Sequence, residues 1–200
     1  MITDNKYSLA FRSMFREYDI RGRVNEEELC PDNVYKIVSA YAKYIKRRNI
    51  LRAVVGYDSR ACSPSFAEAA TKALIDNGVD VFFTGLTLSP VTYFAQYHLS
   101  CEGAVMITAS HNPDGWSGFK FANGYSKTLE PDDIKEVYSL LDAPNDSDKK
   151  GIYTEVDVRD AYIDAIVSRI HMGPKKPRIV IDAANGGAGL FAYEVFQRLG

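Results

Sequence analysis

Ser110, His111 and Asn112 follow directly on an apolar run, and Pro113 closes the group, so that residues 106–113 read MITASHNP. A stretch with the signature of a buried strand therefore ends in a hydroxyl, an imidazole and an amide. In an open α/β sheet the carboxyl ends of the strands are where ligands are met. Taken alone, Ser110 is a turn serine whose oxygen accepts from a nearby backbone N–H. Its neighbours suggest more, because the loop Asp114-Gly115-Trp116-Ser117 leads back into a second apolar run that bears Lys120. A serine that carries a phosphoryl group, about −1.5 to −2 charges at neutral pH, needs cations and donors around it. His111 and Lys120 are groups of that kind.

Two other strings hold reactive residue types. FREYDIRG, residues 15–22, brings Arg16, Glu17, Tyr18, Asp19 and Arg21 together ahead of a glycine. A solvated N-terminal strand or turn would account for it, although arginine's planar fork is also suited to gripping phosphate oxygens in pairs. Asp58-Ser59-Arg60 ends another apolar run and reads as an Asp–Arg pair closing a turn rather than as a catalytic group.

The elements that would position these residues follow from periodicity. Val34, Ile37, Val38, Tyr41 and Ile45 recur on one face of a helix over Asp32–Arg47. Arg52–Asp58 is a short strand. Ser63-Pro64 then opens a helix that stops at Asn77-Gly78, with proline in the first turn and glycine past the end. The pattern repeats with a strand over Asp80–Gly85 and a helix from Ser89-Pro90 toward Leu99. Strands at Gly103–Thr108 and Gly118–Ala122 and a helix over Pro131–Leu141 complete the set. Strands alternating with helices predict an α/β fold, a mixed and largely parallel sheet with flanking helices and right-handed crossovers. Polar, turn-rich residues then mark a boundary, giving a first domain at 1–143, a linker at 144–156 and the start of a second α/β domain at 157–200. In that second part a strand over Arg178–Asp182 lies between two helices. One strand cannot give a sheet two covered faces, so this domain reads as incomplete and the chain as a fragment.

Composition removes several classes. The chain has 200 residues, 46% apolar and 25% charged, with a formal charge of −2. That is globular, and without a basic stripe it gives nucleic-acid binding no electrostatic support. Cys30, Cys62 and Cys101 are odd in number and lack metal-type spacing, which fits a reducing, cytoplasmic compartment. Met1 to Lys6 lacks the apolar core of a signal peptide, and no apolar run approaches the roughly 20 residues of a membrane helix.

FREYDIRG, GYDSR, TASHNP and GFK, in this order and spacing, resemble the N-terminal domain of the α-D-phosphohexomutases, the phosphomannomutase and phosphoglucomutase superfamily. The likeness covers about residues 11 to 200, and TASHNP is its most specific part. It implies that Ser110 is a phosphoserine that passes its phosphoryl group to a hexose 1- or 6-phosphate and takes the other group back from the bisphosphate. It further implies that Arg21 and Lys120 serve in proton transfer or charge stabilisation, that His111, Tyr18 and Asn112 line the same site, and that a hexose 1,6-bisphosphate acts as activator. The family's Mg²⁺ would rest on a phosphoserine oxygen of Ser110 and on three aspartates of an Asp-Gly-Asp-x-Asp loop. That loop is not in these residues, and Asp146-Ser147-Asp148 reads as a solvated linker string. A phosphosugar is then the expected substrate, with the remaining mutase domains expected in the parent protein and no isomerase turnover from this chain alone. The departure from family pattern is Asp114-Gly115-Trp116-Ser117 after SHNP, where a glycine could loosen the loop.

Three rivals stand beside this. Gly187-Ala188-Gly189-Leu190-Phe191-Ala192 has the form G-x-G-x-x-A of a dinucleotide-binding turn, or of an ordinary tight βα turn. A serine hydrolase on Ser110 would lack the G-x-S-x-G elbow, and His111, next to it in sequence, would rarely reach back to its Oγ, leaving His98 and His171 as bases. A non-catalytic phosphosugar- or partner-binding domain derived from a mutase is the third.

Overall fold

The computed structural model describes residues 6–145 and 147–200, so the start of the Met1–Lys6 string and Asp146 of the acidic linker string lie outside the described residues. In chain order the elements are α1 (Leu9–Ser13), β1 (Ile20–Arg23), α2 (Pro31–Lys46), β2 (Arg52–Tyr57), α3 (Ser63–Asp76), β3 (Asp80–Leu86) and α4 (Ser89–His98), followed by β4 (Gly103–Ile107), β5 (Trp116–Asn123), α5 (Pro131–Ser139), β6 (Tyr153–Glu155), α6 (Arg159–Val167) and α7 (Gly189–Leu199). The strands form one six-stranded sheet in the order β1-β5-β4-β2-β3-β6. β2 runs parallel to β3 and β4, and β3 parallel to β6, whereas β5 is antiparallel to both β4 and β1. The sheet is mixed, with helices on both faces.

Helix starts obey simple chemistry. α2, α3, α4 and α5 each carry proline in the first turn, where a missing N–H costs nothing. α2 places Asp32 at its positive end and Lys43 and Lys46 at its negative end. The apolar positions expected of that helix are all fully buried. They join α3, α5 and one face of the sheet in the larger core, while Val91, Ala95, Ile163 and Phe191 from α4, α6 and α7 cover the other face. Tyr41 carries a hydroxyl from α2 to the sheet: it donates to Ala122 O at 2.5 Å and accepts from Ala104 N at 3.1 Å, bridging the paired residues of β4 and β5. Desolvation raises the pKa of this phenol well above its ordinary value, so it stays protonated.

The FREYDIRG string, read as a strand or turn, ends in strand β1, with Ile20 and Gly22 buried. Three readings change. β5 begins two residues before the expected Gly118. The expected linker at 144–156 contributes β6, which extends the first sheet along β3. Arg178–Asp182, expected as a strand, is not one: residues 170–183 hold neither helix nor strand, and Val180 is 96% exposed. A strand exists only through its neighbours' hydrogen bonds, and among the described residues no other strand pairs with this run. Among the described residues no helix is long and apolar enough to cross a membrane.

Candidate functional site

Ser110 stands at the carboxyl end of β4, exposed, with a left-handed backbone at φ 56°. For a residue with a Cβ that conformation costs about 1 kcal/mol or more, so it must be held from outside. Its own N–H donates to Thr108 Oγ1 at 2.9 Å, and the N–H of Asn112 closes the turn onto Ala109 O at 3.0 Å. The Oγ is left facing solvent, 3.4 Å from His111 Nδ1, which is at the outer limit of a hydrogen bond. The imidazole thus reaches back further than sequence adjacency suggests. His98 stacks on Phe94 and His171 is exposed on the unstructured stretch, and the structure links neither to Ser110.

The loop after Ser110 is gripped by two arginines, each tied to an aspartate of its own. Arg21 on β1 bonds Asp19 at 2.7 and 2.8 Å and turns Nη1 to Asn112 Oδ1 at 2.7 Å and to Ala109 O at 3.5 Å. Arg60 follows β2, bonds Asp58 at 3.2 Å, and spreads its remaining N–H groups over the carbonyls of Asn112 (2.6 Å), Pro113 (3.0 Å), Trp116 (3.2 Å) and Ser110 (3.4 Å). Both guanidinium groups are mostly shielded from water. Two glycines make this possible. Gly118, paired with Arg21, would bring a Cβ to 2.1 Å from Ile20 O, so only glycine lets β1 lie against β5 here. Gly115 turns the loop at φ 77° and its carbonyl accepts from Val24 N at 2.8 Å. The glycine expected to loosen the loop is therefore a turn glycine pinned to the chain after β1.

Lys120 pairs across from Met106 and shares its sheet face with Gly118 and Ala122, opposite the face of Phe119 and Phe121. Among the described residues its ammonium has no hydrogen-bonding or ionic partner. Met106 and Ser110 border a cleft of about 420 Å³ together with Asp58, Ser59, Arg60, Thr87 and Thr108. The far wall is the loop Ala184–Gly187, tied across by Ser59 Oγ to Asn185 O at 2.7 Å. Tyr18 is brought less close: it is 59% exposed in the turn before β1 and makes no hydrogen bond to the loop. Cys62, at the start of α3, has its thiol pushed up by burial and so offers no thiolate.

The structure thus gathers Ser110, His111, Asn112 and Arg21, and sets Lys120 beside Met106, which lines the cleft, without making Lys120 part of the lining. Arg60 was read as half of a turn pair. That pair exists, but the four carbonyl contacts were hidden because they join segments 50 or more residues apart. Gly187 of the cleft wall opens the run Gly187–Ala192, read as a dinucleotide-binding or an ordinary βα turn, and neither forms because no strand precedes it. As for a cation, no three His, Cys, Asp or Glu side chains converge among the described residues. Ser110 could supply one oxygen once phosphorylated, which alone is not a metal site.

Residues 12–148 match the family profile of phosphoglucomutase/phosphomannomutase, alpha/beta/alpha domain I. The chain is 36% identical over 181 residues to the phosphomannomutase of Escherichia coli strain K12, covering 88% of this chain and 39% of that protein. It is 36% identical over 192 residues to the phosphoglucomutase of Neisseria gonorrhoeae, covering 94% and 41%. A crystal structure of a phosphoglucomutase/phosphomannomutase family protein from Burkholderia thailandensis superposes with a TM-score of 0.84 at 30% identity, over 94% of this chain and 42% of that one. The chain spans about two fifths of the length of these relatives. It belongs to the phosphoglucomutase/phosphomannomutase family.

Proposed function

We propose that this chain is the phosphoserine-bearing part of an enzyme that interconverts hexose 1-phosphates and hexose 6-phosphates. The observation that carries the reading is the presentation of Ser110: an exposed hydroxyl in a strained, externally held turn at the carboxyl end of β4, bordering a cleft, with Lys120 on the neighbouring strand paired across from Met106 of the cleft's lining. In the first step the free sugar hydroxyl attacks the phosphorus on Ser110. Its O–P bond forms as the Ser110 Oγ–P bond breaks, and the hydroxyl proton passes to a base. The bisphosphate then reverses, and Ser110 Oγ takes the other phosphoryl group while the sugar oxygen it leaves regains a proton. The transition state is loose and its charge is spread, so positioning and fixed cations do most of the work.

Lys120 supplies a mobile ammonium for that charge, and His111 Nδ1 stands near enough to Ser110 Oγ to exchange a proton with it. Arg21, always charged, acts on this reading by holding Asn112 and by its field rather than by giving up a proton. Tyr18 is left for the sugar's approach. The family's Mg²⁺ would neutralise phosphoryl charge, but the described residues do not form its site and no step here is routed through it. A hexose 1,6-bisphosphate would charge Ser110. A division into a first domain at 1–143, extended by β6 of the expected linker at 144–156, and a further domain beginning at 157 belongs to the same reading, as does a cytoplasmic location. The isolated chain would hold the phosphoryl group without turning sugar over.

Intact-mass measurement after incubation with glucose or mannose 1,6-bisphosphate tests this. One added phosphoryl group, mapped to Ser110 and lost in Ser110→Ala, is the expected result. No gain, either in this chain or in a full-length protein containing it, would remove the proposal.

A further inference from the structure

We propose that Arg60 is a positioning residue for phosphoryl transfer at Ser110, acting on the loop's backbone and not on the phosphoryl group; this rests on the function proposed above. The geometry is specific. Five contacts leave one guanidinium: one to its own Asp58 and four to the carbonyl oxygens of Ser110, Asn112, Pro113 and Trp116. Carbonyls that converge on one point repel each other, and a planar fork with five fixed donors is the side chain that can satisfy several of them at once. An ammonium donates from one atom and cannot span them.

The clasp also sets the one unfavourable backbone in the loop. Ser110 sits at φ 56° with its N–H turned to Thr108, and the contact from Arg60 to its carbonyl holds the next peptide, so both peptides flanking its Cα are tethered. Released, a non-glycine residue would relax toward a right-handed or extended conformation, and Oγ would swing away from the cleft. Arg60 is itself anchored. Asp58 pairs with its Nε, accepts from its N–H at 3.2 Å, and accepts from Ser63 Oγ at 2.6 Å, which fixes the start of α3 to the same carboxylate. Arg60 therefore transmits the rigid β2–α3 junction to the loop after β4. Its guanidinium is already saturated by carbonyls and Asp58, which leaves phosphoryl binding to Lys120 and to groups facing the open cleft.

Two readouts on the 200-residue chain test this separately: the rate at which hexose 1,6-bisphosphate phosphorylates Ser110, by intact mass, and backbone hydrogen exchange at residues 110–116. Arg60→Ala should slow labelling by about 100-fold and raise exchange across the loop. Arg60→Lys keeps the charge beside Asp58 and should be nearly as slow, while added guanidinium ion should restore part of the rate to Arg60→Ala and not to Arg60→Lys. Wild-type labelling in Arg60→Lys would overturn the proposal, since charge alone would then suffice. Unchanged loop exchange in Arg60→Ala would overturn it as well. If the wild-type chain takes no phosphoryl group, the function proposed above fails for this chain, and loop exchange alone decides whether Arg60 holds the loop.

Discussion

Two runs of the same kind end differently in this molecule. Arg52-Ala53-Val54-Val55-Gly56-Tyr57 is strand β2, hydrogen-bonded to β3 on one side and β4 on the other, with Val54 and Val55 wholly buried. Arg178-Ile179-Val180-Ile181-Asp182 has as strong a β preference, yet it lies open, with Val180 96% exposed and no element beside it. The difference is not in the runs. β2 receives neighbours because α3, α4 and the strands after them fold back on both of its edges, while among the described residues no strand pairs with the second run. A β-branched run is a request for partners, and strand formation depends on whether the rest of the chain supplies them.

The most direct way to break the comparison is to place the same charge in both runs. Val55→Asp buries an unpaired carboxyl and should lower unfolding free energy by about 4 kcal/mol or more, to the point of losing the fold. Val180→Asp should stay within about 0.5 kcal/mol by urea unfolding. A large loss at Val180 would show that the run is packed after all.

Glycines sharpen the contrast at the next scale. Gly118→Ala sets a Cβ against Ile20 O, a backbone atom held in a ladder, and should cost about 2–4 kcal/mol while pulling Arg21 from Asn112. Gly187→Ala meets a Leu88 methyl carbon at 3.0 Å, and that side chain can yield, so the cost should be under about 1 kcal/mol. Thermal unfolding of the two variants, with amide spectra of the Ser110 loop, separates them. Equal costs would mean that the 184–187 loop is as tightly set as the β1–β5 ladder.

The smallest effect expected is electrostatic. Arg48 holds the Glu136 carboxyl below its ordinary value of 4.5, against an opposing push from burial. The folded value is depressed, so the pair's contribution is full above the ordinary carboxylate range and is lost as pH falls through it. Glu136→Gln should therefore cost about 0.5 kcal/mol near pH 7, and the gap to wild type should close by about pH 3. In the C-terminal part, Arg198 meets Asp160, Asp164 and Glu194 on the open surface. Asp164→Asn should leave the unfolding midpoint unmoved at every pH.

Much of the fold was legible because it is local. Proline in the first turn set the starts of α2 to α5 within a residue or two, and the apolar stripe of α2 named its buried face. Ser110, His111 and Asn112 were legible as a site because they are adjacent and follow a strand. β1 was obscured by its charges, since Arg21 and Arg23 are alternate residues of an edge strand and mask its two buried positions. β6 was obscured by being three exposed residues in polar company.

The sequence by itself determined the order of strands and helices from α2 to α5, the buried stripe of α2 and the reactive turn, because these depend on residues within one or two turns of each other. Only the tertiary structure decided that Arg60 grips the Ser110 loop, that Gly118 admits Arg21 beside it, and that Arg178–Asp182 goes unpaired. Each of these depends on a hydrogen-bonding group meeting, or failing to meet, another that is distant along the chain, and residue types alone do not say which strand comes to lie beside which.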